Sequence, residues 1–96
     1  MQHNDLDQAD WSKIPVHCRD GLKNYLVSGI PVGSFLSAVI CNDLTNACGC
    51  ADDVNRHALF DYVQFLYQYA PHRAWGSPQA YKDWIERGGL IGKVAA

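Results

Sequence analysis

Residues 53–70 read Asp-Val-Asn-Arg-His-Ala-Leu-Phe-Asp-Tyr-Val-Gln-Phe-Leu-Tyr-Gln-Tyr-Ala. Leu59, Val63, Leu66 and Ala70 recur at three- and four-residue spacing, which places them on one stripe of a helix. Phe60 and Tyr67 flank that stripe on one side, and Tyr62, Phe65 and Tyr69 on the other. Only His57, Asp61, Gln64 and Gln68 are left for a polar strip. A helix apolar around most of its girth belongs in the centre of a core or in an oligomer interface. The chain has 96 residues, and one this short buries only about 60–65% of its unfolded surface, so both roles are expected. Asp52 or Asp53 caps the start of this helix, and Pro71 ends it.

Working outward, three more helices are predicted. Pro15 sits in the first turn of one that carries Cys18, Leu22, Tyr25 and Leu26 inward and stops at Gly29, with Pro31 preventing continuation. Ser34 is the expected N-cap of the next, whose apolar face is Leu36, Val39, Ile40, Leu44 and Ala47, with Gly49 as terminator. Ser77-Pro78 opens the last, which buries Tyr81, Trp84 and Ile85 and stops at Gly88-Gly89. No stretch alternates like a strand, and there is no internal repeat. The expected fold is all-α, a compact single domain of four short helices that forms oligomers. Residues 1–13 read as a mobile polar arm, in which Trp11 is the one group able to dock. Residues 14–88 form the helical domain, and residues 89–96 a short apolar tail.

Composition narrows the function classes. Hydrophobic residues make up 48% and charged ones 19%, which excludes a wholly disordered chain. No apolar run approaches the roughly 20 residues of a membrane span. The amino end lacks both a basic start and an apolar stretch, so a signal peptide is not expected. Net charge is −2, but Asp5, Asp7 and Asp10 crowd the amino end. From Lys13 onward eight cations face seven anions. No basic stripe results, which argues against non-specific binding to nucleic acid. Cys18, Cys41, Cys48 and Cys50 read as reduced thiols, the first two as small buried hydrophobes. Cys48-Gly49-Cys50 resembles half a zinc site, but the spacing is one residue too short and no second pair follows. No metal or cofactor is expected.

Asp43 breaks the pattern most sharply. On a continuous helix over residues 34–49 it falls about 20° from Leu36, in the middle of the apolar stripe. A carboxylate there must be paired or hydrogen-bonded, or else line a cleft. Arg19, Arg56 and the amides after Ser77 are the candidate partners for the first role. Asn42 flanks the same face. Asn55 and Arg56 lie in the first turn of the next helix, where they either serve the helix end or offer donors to an anion. Arg19 and Lys23 are one turn apart, either surface charges or the rim of an anion pocket. Arg73 and Trp75 lie in the loop after Pro71. Trp75 there is either a core plug or a ring for stacking a base, with Arg73 beside it. The candidate ligand-binding residues are therefore Asn42, Asp43, Asn55, Arg56, Arg19, Lys23, Arg73 and Trp75. No nucleophile–base set, paired acidic motif or phosphate-cradling glycine loop is present, so catalysis is not expected.

The string Gly29-Ile-Pro-Val-Gly-Ser-Phe-Leu-Ser-Ala-Val-Ile-Cys-Asn-Asp-Leu44 is followed by Ala51-Asp52 with Asn55, then Tyr69-Ala-Pro71, then Trp75-Gly-Ser-Pro78 with Trp84. In this the chain resembles short uncharacterised proteins encoded by phages and prophages, over about residues 14–88. The Cys48-Gly49-Cys50 segment departs from the group's pattern. The resemblance implies a protein made in the cytoplasm of a host bacterium during infection. Small accessory phage proteins bind and disable host components, or sequester nucleotide signals used in defence. Three readings follow from residues and resemblance together. One is counter-defence or host takeover by sequestering a small anionic ligand, such as a cyclic or ADP-ribose-type nucleotide. Another is an inhibitor or adaptor of a host bacterial protein, suggested by the apolar third helix and the acidic arm. The last is a hydrolase using Asp43 and His57, which lie on different helices and face apart.

Overall fold

The computed structural model describes residues 9–92. They form six α-helices and one 3-10 turn, with no strand among the described residues. In chain order these are α1 (Val16–Ser28), α2 (Ser34–Ile40), α3 (Leu44–Cys50), α4 (Asp53–His57), α5 (Leu59–Tyr69), the turn His72–Ala74, and α6 (Pro78–Arg87). The all-α architecture is as expected. The count of four helices is not, because two of the expected helices are each broken once.

The first break falls at Cys41–Asp43. The Asp43 amide bonds the Ala38 carbonyl at 2.8 Å, and the Asn42 amide bonds the Val39 carbonyl at 3.1 Å. That pair of bonds closes a helix when the intervening residue turns left-handed. Asn42 is that residue, at φ 64°, a conformation asparagine tolerates better than most side chains. Asp43 then opens α3. Its Oδ1 accepts the Asn46 amide at 3.2 Å, and its Oδ2 accepts Asn46 Nδ2 at 2.6 Å. The mid-stripe placement of Asp43 is thereby corrected: no helix runs through it. The second break is milder. Ala58 alone separates α4 from α5, with φ −103° and ψ 6°. Its amide bonds Asn55, and its carbonyl still accepts from Tyr62.

Several helix ends also differ by a residue or two from expectation. Pro15 is the N-cap of α1 rather than a member of its first turn. Gly33 caps α2, so Ser34 is the first helical residue. Gly49 lies inside α3, which ends because Ala51 is extended. Asp52 does cap α4, accepting the Asn55 amide at 2.7 Å, and Ser77 Oγ caps α6 through the Ala80 amide at 3.1 Å.

Ile14, Leu22, Tyr25, Leu26, Ile40, Tyr62 and Leu66 are fully enclosed at the centre. Side chains of this size contribute roughly 1.5–3 kcal/mol each on burial, before conformational entropy is charged against them. The buried face of α5 is Tyr62, Phe65 and Leu66. Val63, expected in the buried stripe, points outward, because the three aromatic neighbours on the other flank offer more apolar area to the core. Cys18 and Cys41 are only half-buried.

The carboxyl ends of α1 and α6 meet backbone to backbone. Gly29 and Gly88 both adopt left-handed conformations and cap their helices. The chain after Gly88 then returns along α1: Leu90 and Ile91 donate their amides to the carbonyls of Leu26 and Val27, each at 3.1 Å. Trp84 Nε1 reaches the carbonyls of Tyr25 and Leu26 from the same side. The last carbonyls of α1, orphaned by the helix end, thus find donors from α6 and its tail. At the other end, Trp11 packs on Phe65 with ring centroids 4.4 Å apart, so residues 9–13 of the expected mobile arm are held against the core. The rest of that arm (residues 1–8) and residues 93–96 of the tail lie outside the described residues. A radius of gyration of 12.5 Å matches the value of about 13 Å for a compact domain of around 100 residues.

Candidate functional site

The eight residues singled out by sequence fall into separate places. Asn42 and Asp43 share the α2–α3 junction, beside a shallow hollow of about 40 Å³ that they line with Ala38, Val39, Leu44, Ala47, Leu59 and Val63. Asp43 spends both carboxylate oxygens on Asn46, so its first role is to hold the start of α3. None of Arg19, Arg56 and the amides after Ser77 receives it.

Asn55 is the one buried polar residue of the described chain, at 4% exposed. It lies on α4, and Tyr62 meets it from α5 across the break at Ala58. Its Oδ1 accepts the Tyr62 hydroxyl at 2.6 Å. Cys18 Sγ lies 3.8 Å from Asn55 Oδ1 and 3.7 Å from Nδ2. Outside this core cluster, Asp52 accepts the Asn55 amide and also contacts His17 Nε2 at 3.1 Å. The chain His17–Asp52–Asn55–Tyr62 therefore ties α1, α4 and α5 together. Burial holds the Tyr62 phenol far above its ordinary range, with Cys18 adding to the effect, so the hydroxyl is a permanent donor. This network is satisfied within itself and leaves no donor aimed at a cavity.

The cations are dispersed. Arg56 is exposed and pairs with Asp53 one turn away, at 3.3 Å. Such a surface pair is worth little. Arg19 donates Nε to the Ile14 carbonyl at 2.7 Å and Nη2 to the Ser12 carbonyl at 3.3 Å, which fastens the segment before α1. Lys23 is exposed on α1. His57 is exposed and bonds the Asp53 carbonyl through Nδ1 at 2.9 Å. Among the described residues, no three His, Cys, Asp or Glu side chains are grouped to hold a metal.

Arg73 and Trp75 belong to the turn after α5. Arg73 is exposed, whereas Trp75 is half-buried. Trp75 Nε1 is shielded from solvent with no acceptor in reach. Tyr67, His72, Trp75 and Gly76 line an open hollow of about 300 Å³. Gly76 itself is anchored by its amide to the Ile40 carbonyl at 2.7 Å, which sets this turn beside the end of α2.

Sequence reasoning expected this helix to serve both core and interface, but it put Val63 on the buried stripe and named none of the outward residues as candidates. Phe60 and Tyr67 are each 72% exposed and Val63 is 42% exposed. They stand at i, i+3 and i+7, one continuous stripe of the helix. Leu44, 65% exposed, adjoins it through the hollow it shares with Val63. The signal was present in the periodicity: a helix apolar on three sides cannot bury them all in a domain of this size.

No family model matches the chain, and comparison with curated proteins and with solved structures found no match. No helix of the described residues is long and apolar enough to cross a membrane.

Proposed function

We propose that this chain is a non-enzymatic binding protein that works through protein–protein contact, its working surface being the outward face of α5. The observation that carries this is the stripe Phe60–Val63–Tyr67, exposed and free of charge along two turns. Isolated apolar side chains are ordinary on protein surfaces, whereas a contiguous aromatic patch marks a contact site. Aromatic residues dominate such contacts because they bring large, stiff apolar area at low entropic cost. The resemblance to phage-encoded proteins supports reading this binding as host takeover or counter-defence within the bacterial cytoplasm.

Side-chain footprinting tests the reading. Phe60, Val63 and Tyr67 are expected to label less in concentrated bacterial lysate than in dilute buffer, while exposed Val16 on α1 labels equally in both. Equal labelling of the α5 stripe in the two conditions, with no protection gained as the purified chain itself is concentrated, overturns it.

A second reading is favoured by one observation, the hollow between Tyr67, His72 and Trp75 with Arg73 exposed in the same turn. Its volume of about 300 Å³ is at the lower end of ligand pockets, and two aromatic rings with a guanidinium suit a nucleotide-type anion. Titration with cyclic and ADP-ribose-type nucleotides should then release heat that Arg73→Ala abolishes. The absence of heat across the panel removes this reading.

A further inference from the structure

We infer that the occupant of the α5 face is a second copy of this chain, packed α5 against α5 in antiparallel fashion about a two-fold axis near Val63; this rests on the protein-contact reading above.

The stripe is suited to face itself. A two-fold interface places the same patch on both partners, so its apolar centre must be self-complementary and its charges must be of opposite sign at opposite ends. The centre meets the first demand. Phe60, Val63 and Tyr67 span about 10 Å along the axis at 1.5 Å per residue. Within that span the helix positions facing outward carry no ionisable group other than the Tyr67 phenol itself.

The ends meet the second demand. Asp43 lines the hollow beside Leu59 and Val63, toward the start of α5. His72 lines the hollow beside Tyr67, at its end, and exposed Arg73 occupies the same turn. Arg56 also precedes α5 but is paired with Asp53, so antiparallel packing sets the Asp43 end of one copy toward the Arg73 end of the other, twice. Parallel packing sets like against like. Neither Asp43 nor Arg73 has an ion-pair partner among the described residues, and the bonds from neutral Asn46 leave the Asp43 charge unneutralised.

Area is sufficient as well. A standard interface takes roughly 800 Å² from each partner, a little over half of it apolar. Two aromatic side chains at 72% exposure supply most of that apolar share, at roughly 150–250 Å² per ring. Leu44 and Val63 add to it. The reading also explains why so short a chain tolerates aromatic residues in solvent: each is solvent-exposed only in the single copy.

Sedimentation of the full chain over a range of concentrations is the test, with footprinting on the same samples. The wild type is expected to pass from monomer to dimer as concentration rises, and Phe60, Val63 and Tyr67 to become protected in step. Phe60→Glu should weaken the dimer by roughly thirtyfold or more, the cost of losing a central aromatic anchor. Circular dichroism of Phe60→Glu should be unchanged, because the ring contributes nothing to the monomer core. Asp43→Ser keeps a capping oxygen but removes the charge. Combined with Arg73→Ser it should cost less than the two single losses added together, since the two charges act as one pair. A chain that stays monomeric at every concentration overturns the proposal, and so does a dimer indifferent to Phe60→Glu. If the purified chain shows no protection but the lysate does, the partner is another protein. The second-copy proposal then fails while the protein-contact reading stands.

Discussion

Tyr62 donates its hydroxyl proton to Asn55 Oδ1 across 2.6 Å, and both side chains are sealed in the core. The pair joins α4 to α5 across the break at Ala58, where the helix ladder itself is interrupted. Hydrogen bonding therefore does there what a continuous helix would otherwise do.

Tyr62→Phe leaves the Asn55 carbonyl oxygen buried with only the weak Cys18 thiol beside it. The expected cost is about 1–3 kcal/mol, the penalty for an unsatisfied buried polar group. For a domain of this length each kcal/mol lowers the melting temperature by about 4–8 °C. Denaturant unfolding measures the change directly. A cost near zero would show that water or the thiol satisfies Asn55 unaided.

Glycine substitutions should separate the crowded end of the molecule from the open one. A Cβ on Gly89 would lie 2.5 Å from the Val27 carbonyl and from the Gly29 nitrogen, with φ at 76°. Gly89→Ala must force α1 and α6 apart, and it is expected to destabilise by several kcal/mol through overpacking and backbone strain together. Gly49 has open space around its Cβ position inside α3. Gly49→Ala should stabilise by about 0.5–1 kcal/mol, the helix preference of alanine over glycine. Thermal melts of the two variants beside wild type suffice, and a reversal of sign at either position contradicts the packing described.

Asp43→Ala is expected to cost about 0.5–2 kcal/mol through loss of the α3 cap, with Asp43→Asn retaining most of the stability. Chemical denaturation of the two variants distinguishes a capping role from a charge role. If asparagine is as damaging as alanine, the carboxylate acts through its charge within the monomer.

Acid sensitivity should centre on Asp52. Its carboxyl is held below the ordinary value of 3.8, first because it accepts the Asn55 amide proton, and further through His17, with slight burial acting the other way. A lowered value means that the folded chain binds this proton more weakly than the unfolded chain does. The stabilisation is therefore complete above the unfolded value and is lost as pH falls through the folded one. Asp10 behaves alike, through Ser12. Stability measured between neutrality and pH 2 should decline mainly below about pH 4. Asp52→Asn preserves a capping oxygen and should flatten that decline, and an unchanged slope would place the acid sensitivity elsewhere.

Thiol reactivity should divide two and two. Cys48 and Cys50 are exposed, whereas Cys18 and Cys41 are half-buried. Burial, with Asp43 nearby, pushes the Cys41 thiol up, and the thiolate is the reacting form. A disulfide reagent in excess should consume two thiols quickly and two slowly in the native chain. Replacing Cys48 and Cys50 by serine should remove the fast phase altogether.

Helix composition was legible along the chain because apolar spacing, Ser77-Pro78 and the glycines at 29 and 88 are local signals. The interruptions were less so. Asn42-Asp43 carries its own stop and start, a residue that tolerates the left-handed turn followed by a strong capping side chain. Spacing alone had run a helix through it, because Leu36, Val39, Ile40, Leu44 and Ala47 keep an apolar rhythm across the break. Asp43 therefore looked like a charge stranded in grease, when it is the first cap of a new helix. Asn55 was readable as a first-turn residue, but its partners come from α1 and α5, which no local pattern names.

From its own residues the chain determines that it is helical, where its strongest helix ends lie, and that its longest apolar helix has more greasy surface than one core can absorb. These are properties of neighbours a few positions apart, set by backbone sterics and side-chain period. Only the tertiary structure decided which side of α5 turns inward, that Gly29 and Gly89 touch, and that the eight candidate residues do not converge on one cavity. Those outcomes depend on contacts between segments distant in sequence, where close packing selects one arrangement from many that the local pattern permits equally.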